Sequence, residues 1–399
     1  MTAAGTSPDR APSRSRDPEP GASPRRPALS DRLPRAWLFP LLVFAATWVL
    51  ILATWYISDA VYGQSHPWTF HFLFKDADYY LGIAQHGYPA RLPSPWRDSP
   101  VNARVAFFPL FPALIRLASY LTGGNYPVAG LIAQITAGAA SAVGVWAVAA
   151  RLRGHRVADR AVMLYCLFPG AMTFSLLYSE PLAVAVSAAA ILAMLDRRWL
   201  LAGIAGAAAT AERPTLIVLV VVFGVAAIQA IWTRREWSAL LAPALTPLGV
   251  LAFFAYLGHR YHDYKFWFRV ETDVWHQHLG WGEHTLRVVL WMDPATERAH
   301  VFNAVLIIMF AVAAVGIALM VADRLPFPVI LFGVLLVLLT VISPAQSTRP
   351  RFVWTAFPIF VAAAAKLPRA LYWPVLVVSA AGLVFLIAWW PNHRIGPAP

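Results

Sequence analysis

Apolar residues run in long blocks along this chain, interrupted by short polar and basic stretches. The blocks AWLFPLLVFAATWVLILATWYI, VAGLIAQITAGAASAVGVWAVAA, TLIVLVVVFGVAAIQAIW, VFNAVLIIMFAVAAVGIALMV and VILFGVLLVLLTVI each approach or exceed the roughly 18–20 residues that a helix needs to cross a bilayer. The pattern predicts an all-α polytopic membrane protein with about ten or eleven transmembrane helices, near 37–58, 126–150, 161–177, 181–195, 199–211, 215–232, 238–258, 301–322, 326–343, 352–366 and 371–390. Residues 105–122 are apolar enough to enter lipid, but a crossing there would invert every later segment, so they are expected to form a re-entrant or interfacial helix. Residues 199–211 are short for a span and would have to be broken or embedded among other helices.

The order of these spans follows from where the basic residues lie, because Lys and Arg near span ends mark the cytoplasmic side. RLRGHR at 151–156, DRR at 196–198, TRRE at 233–236, Asp323-Arg324 and KLPR at 366–369 then fall inside. The connections 59–103, 178–180, 212–214, 259–300 and 343–351 fall together on the opposite, outer face. Two of them, 59–103 and 259–300, are far longer than the few residues usual in compact domains, and long connections are often functional. Any chemistry is expected there.

Composition sharpens this picture. Hydrophobic residues make up 59% of the chain and charged residues 13%, against about 25% charged in soluble domains. The net charge of +12 sits in clusters between apolar blocks, which suits membrane topology and argues against a nucleic-acid partner. The single cysteine, Cys166, lies in an apolar run, so neither a disulfide nor a thiolate metal site is available. Residues 1–36 carry seven Arg, seven Pro and few bulky apolar side chains, a composition that cannot bury a core. They read as a disordered cytoplasmic tail, ahead of a membrane domain at 37–390 and a short tail at 391–399.

The stretch KDADYYLGIAQHGY, residues 75–88, puts charge into a largely apolar chain. On a helix Asp76 and Asp78 lie about 200° apart, so only one can point into a given cleft. A carboxylate at the membrane interface is partly desolvated, which strengthens it as a base. The plain alternative is a pair of solvated acids near a helix start. A D-x-D holding a metal with a nucleotide sugar would need a nucleotide-binding domain for which the outer loops have no room, and there is no G-x-G-x-x-G or Walker loop in the chain. No cofactor is demanded by the sequence, although a divalent metal is compatible with the acids.

Residues 76–88 resemble the W-D-A-x-[WY]-Y-x-x-I-A-x-x-G-Y signature of PIG-V-type mannosyltransferases, in the GT-C class of membrane glycosyltransferases. Further pieces follow in the family's order: FFPLFP at 107–112, Tyr178-Ser179-Glu180-Pro181, Arg213-Pro214-Thr215, and RPRFVWTAFP at 349–358. Lys75 stands where the family has Trp, and a lysine there could hold a phosphate. The resemblance covers residues 37 to about 390. It implies transfer of mannose, with inversion, from a polyprenyl-phosphate carrier to a lipid or glycan acceptor. It also implies an active site on the outer face of a plasma membrane, which the Ala- and Arg-rich composition suggests is bacterial.

On this reading Asp76 is the expected base, with Asp78 second. Arg349 and Arg351 would hold the leaving phosphate, since the guanidinium fork suits it; interfacial anchoring is their alternative role. Arg104, Arg213 and Arg269 are weaker phosphate candidates. Lys75, Tyr80, Tyr178, Glu180 and Arg213 complete the expected substrate contacts. The loop 259–300 holds His259, His262, His276, His278, His284 and His300, whose spacing matches no closed zinc pattern. Solvated histidines are the simpler reading, while Asp263, Phe268 and Trp275 could form an acceptor shelf or lid. The rival functions are a GT-C transferase of another sugar, a transporter or flippase of lipid-linked sugars, and a non-catalytic subunit of the same fold.

Overall fold

The computed structural model describes residues 1–2, 33–90, 100–275, 280–290, 297–343 and 349–393. Among them every regular element is helical, as hydrocarbon requires, because a helix satisfies its own backbone hydrogen bonds where no water is present. Six helices are long and apolar enough to cross a membrane: Trp37–Val61, Tyr126–Arg153, Pro214–Arg234, Trp237–Tyr261, Asn303–Ala322 and Arg369–Trp389. They match six of the predicted blocks, and the chain is a multi-pass membrane protein. Trp199–Glu212 and Phe327–Ile342 are shorter apolar helices packed among the others.

The block at 161–177 is not one crossing helix, which corrects the expectation from hydropathy. His155–Cys166 is a helix of its own, and the chain then turns through the 3-10 segment Pro169–Ser175. That segment is bent by 111° from the following helix, Glu180–Leu195. Pro169 explains the break, since proline has no backbone N–H to continue a helix. The block at 352–366 is likewise divided, into Pro350–Thr355 and Pro358–Lys366, with Pro358 at the interruption. Residues 105–122 hold no helix long enough to cross: Leu110–Ser119 buries Phe111, Pro112, Ile115 and Ala118 and leaves Leu117 exposed, as the turn after it leaves Tyr120 and Leu121. At ten residues it is only about 15 Å long.

Tyr126–Arg153 is the central helix, in contact with Leu33–Val61, Leu110–Ser119, His155–Cys166 and Glu180–Leu195. Its buried side is rich in small residues, among them Ala129, Gly130, Ala133, Ala137, Gly138 and Ser141. Small residues let helices approach closely, which is how they associate where lipid is as apolar as leucine. Asn125 caps the helix by accepting from the Val128 N–H at 3.3 Å, and Gly154 ends it at φ 81°.

The helices carry charge in two layers, one at each end. At one end Arg153 pairs with Asp323 at 2.9 Å, Arg151 with Asp196 at 2.7 Å and Arg197 with Glu236 at 2.6 Å. At the other end of Glu180–Leu195 lies Glu180, about 24 Å away along sixteen residues of helix. The second layer contains the candidate site.

Gly170 sets one approach on which that layer depends. A Cβ there would stand 2.3 Å from the Pro350 carbonyl oxygen and 2.5 Å from Trp354 Cβ, and a backbone carbonyl cannot swing aside. Gly170→Val is therefore expected to destabilise the protein by at least about 1–3 kcal/mol, the usual cost of overpacking. Thermal unfolding of the purified protein in detergent checks this, and an unchanged midpoint would contradict the packing described.

Candidate active site

Asp76 opens the helix Asp76–His86. Its partner at the helix start, Lys75, has φ 49° and ψ −99°, a backbone conformation that non-glycine residues rarely adopt and that tends to persist where function demands it. A helix N-terminus also favours a carboxylate. Ala77, Tyr80, Leu81, Ile83 and Ala84 form the buried side of the helix, which packs on Leu110–Ser119. Asp76 stands half-buried at the edge of that side, whereas Asp78 is exposed. The two carboxylates thus diverge, as helical geometry requires, and do not form a two-acid metal clamp. Gly82 lies under Arg104, whose guanidinium would be about 2.5 Å from a Cβ at that position.

Arg351 is the hub. Its Nη1 donates to Asp76 Oδ2 at 3.0 Å and lies 3.6 Å from Glu180 Oε1. Arg213 Nη1 approaches the same Glu180 oxygen at 2.9 Å. The result is an alternating chain, Asp76, Arg351, Glu180, Arg213, drawn from four separate parts of the sequence. Aromatic faces hold the cations in place: the Arg351 guanidinium lies 5.0 Å from the Tyr178 ring and 4.7 Å from Phe352, and Arg213 lies 5.6 Å from Phe352. Tyr80 Oη donates to Ser179 Oγ at 2.8 Å in the interior, which ties the Asp76 helix to the segment that carries Glu180.

The short helix Pro350–Thr355 presents Arg351. Pro350 begins it, in a position where the missing N–H is no loss. Trp354 anchors it from below, stacked on Tyr165 at 4.5 Å and donating Nε1–H to the Tyr165 carbonyl at 2.9 Å. Burial alone would lower the pKa of Arg351, but Glu180 and then Asp76 outweigh it and hold the guanidinium charged. Arg349 is also buried. Burial first, and then the charge of Arg351, pull it down to about 9. Lys75 feels the same field: partial desolvation lowers its pKa, Asp76 opposes this, and Arg349 and Arg351 lower it further. Two mutually repelling guanidiniums with a lysine beside them make a place where an anion is welcome. One hydrogen-bonded carboxylate stands next to it, able to accept a proton.

Of the residues singled out from sequence, Asp76, Tyr178, Glu180, Arg213 and Arg351 come together, with Tyr80 adjoining and Arg349 and Lys75 within the same electrostatic neighbourhood. Asp78 does not join them. Arg269 pairs instead with Asp263. Trp275 packs against Tyr79 and Phe107, at 5.5 Å and 5.6 Å, an aromatic wall beside the Asp76 helix. Phe268 packs on Phe254 and Trp267. His259 and His262 are exposed; His276 and His278 lie outside the described residues, as do the side chains of His284 and His300.

One acid was missed by the sequence reading. Glu212 is buried next to Arg213, within reach of the Ser179 side chain and the Phe111 backbone. Its signal was an acid placed directly after an apolar helix and before the Arg213-Pro214 turn, since acids among spans are rare and mark functional positions.

No family model and no curated protein matches the sequence. Among solved structures the chain is similar to ArnT from Cupriavidus metallidurans, determined bound to undecaprenyl phosphate, with a TM-score of 0.54 and 14% identity over 84% of this chain. The chain spans 62% of the length of that protein. The two share a fold.

Proposed function

We propose that this protein is a membrane glycosyltransferase that moves a sugar from a polyprenyl-phosphate carrier to a hydroxyl acceptor, with inversion. The observation that carries this reading is the Asp76–Arg351–Glu180–Arg213 chain, a proton-accepting carboxylate set in a cationic frame. Asp76 takes the proton from the acceptor hydroxyl as its oxygen bonds to the sugar's anomeric carbon. The bond from that carbon to the phosphate oxygen breaks, and its electron pair leaves on the polyprenyl phosphate. Arg351 orients Asp76, while Arg349 and Lys75 receive the phosphate.

The shared fold supports the donor class, as does the fold neighbour with undecaprenyl phosphate bound. Mannose rests on the resemblance of residues 76–88, 178–181 and 349–358 to PIG-V-type enzymes. A transfer assay in lipid with radiolabelled polyprenyl-phosphate mannose, set against other polyprenyl-phosphate sugars, tests both. Labelled product only from the mannose donor is expected. Product from another sugar would correct the sugar alone, and product from none would remove the transferase reading.

We propose an outer-face site: it lies at the helix ends opposite the arginine-rich pairs, which the positive-inside rule favours on the cytoplasmic side. Cys166 is buried, leaving a clean background for labelling. Gln64→Cys, in the exposed turn after the first span, is expected to react in intact cells with a thiol reagent that does not cross membranes. Reaction only after lysis would reverse the orientation.

A further inference from the structure

Away from the arginine hub, three ligating side chains converge where the first span meets the outer layer. Asp59 lies in the last turn of Leu33–Val61, and His71 lies in the short helix Trp68–Phe72, with His66 between them. His66 Nδ1 is 3.1 Å from Asp59 Oδ1, and His71 Nε2 is 3.2 Å from Asp59 Oδ2. One ligand atom from each of the three lies within 4.8 Å of the others. We propose that Asp59, His66 and His71 bind a zinc ion that staples the start of the first outer loop to the end of the first span.

The donor set and its spacing both point to this metal. Two imidazoles and a carboxylate suit zinc, and three protein ligands leave a fourth position for water. Donors about 2.0–2.1 Å from a tetrahedral zinc are about 3.3 Å apart, near the two separations seen. The rings are also held in advance. His71 stacks on Trp55 at 5.1 Å and 16°, and His66 stacks on Phe70 at 3.8 Å and 7°. The His66 backbone N–H donates to Asp59 Oδ2 at 3.1 Å and steadies the carboxylate. His71 Nδ1 is buried with no hydrogen-bond partner among the described residues, so the stack on Trp55 supplies the orientation that an outer hydrogen bond usually gives a ligating histidine.

The position gives the ion a task. The next residue, Phe72, accepts a hydrogen bond through its carbonyl from the Leu177 N–H at 3.1 Å, and Lys75 and Asp76 follow at once. A metal at Asp59, His66 and His71 fixes the approach to Asp76 from one side, as Leu177 does from the other. These residues are a positioning site: they do not touch the arginine hub, and the metal inference does not depend on the proposed transfer reaction.

The test uses full-length protein purified in detergent, loaded with zinc chloride, desalted and analysed for bound metal. Wild type is expected to retain one zinc per chain, and His66→Ala, His71→Ala and Asp59→Asn are expected to lose it. His259→Ala, an exposed histidine outside the cluster, is expected to keep it. Zinc should raise the unfolding midpoint of wild type by several degrees, reversibly with chelator, because a ligand that binds only the folded state stabilises it; it should not shift the midpoint of His66→Ala. His66 is the more exposed of the two histidines, so its variant decides the matter if His71→Ala fails to fold. Wild type that retains no zinc after desalting, or His66→Ala that retains as much as wild type, overturns the proposal.

Discussion

Arg351→Ala is expected to reduce sugar transfer by at least about a thousandfold and to cost about 3–5 kcal/mol of stability, the range seen when one partner of a buried ion pair is removed. Arg351 donates to Asp76 at 3.0 Å and lies 3.6 Å from Glu180, so its loss strips two carboxylates of a shared counter-charge. Glu180 keeps Arg213 at 2.9 Å, which places the stability loss toward the lower end of that range. Asp76 has no such reserve in the alternating chain and would lose its orientation. Arg351→Lys separates charge from geometry. A lysine keeps the positive charge but not the planar fork, so most of the stability and only a small part of the activity should return. Unfolding midpoints in detergent and initial rates with polyprenyl-phosphate sugar measure the two effects. Wild-type rates in Arg351→Ala would show that the network is structural only.

Asp76→Asn is expected to lower transfer by about 10²–10⁴-fold, the range for losing a general base, while the fold survives. The amide oxygen can still accept from Arg351, but the side chain can no longer take a proton. The loss should appear in the rate at saturating donor, because the cations assigned to the phosphate are untouched. Asp78→Asn is the matched control. Asp78 is exposed on the far side of the helix, and its variant should stay within about twofold of wild type, as surface changes usually have little effect. If Asp78→Asn were the inactive one, the base assignment would pass from one residue to the other. Equal activity in both variants and wild type would remove this helix from the chemistry.

Much of the architecture can be read from the chain itself. Lipid admits little besides long apolar helices, so blocks such as 37–58, 126–150 and 301–322 had one workable outcome. Arginine clusters at 151–156 and 196–198 became the ion-paired layer at one end. The 200° separation of Asp76 and Asp78 is a helical property, so sequence could say that only one would face the cleft. The family resemblance pointed to Asp76, but what that carboxylate would meet was beyond it. Hydropathy is a local average and does not register a sharp turn inside an apolar run, which is why 161–177 reads as a span although Pro169 breaks it. The Asp76–Arg351 contact joins residues 275 positions apart. It exists because Gly170 lets Pro350–Thr355 approach and Trp354 locks that helix on Tyr165. Likewise, among the described residues, His66 and His71 converge on Asp59, because ligands meet through the packing of a helix end against a loop. A helical membrane protein with this stock of charges follows from the residues in order; which of those charges meet follows from how the helices pack.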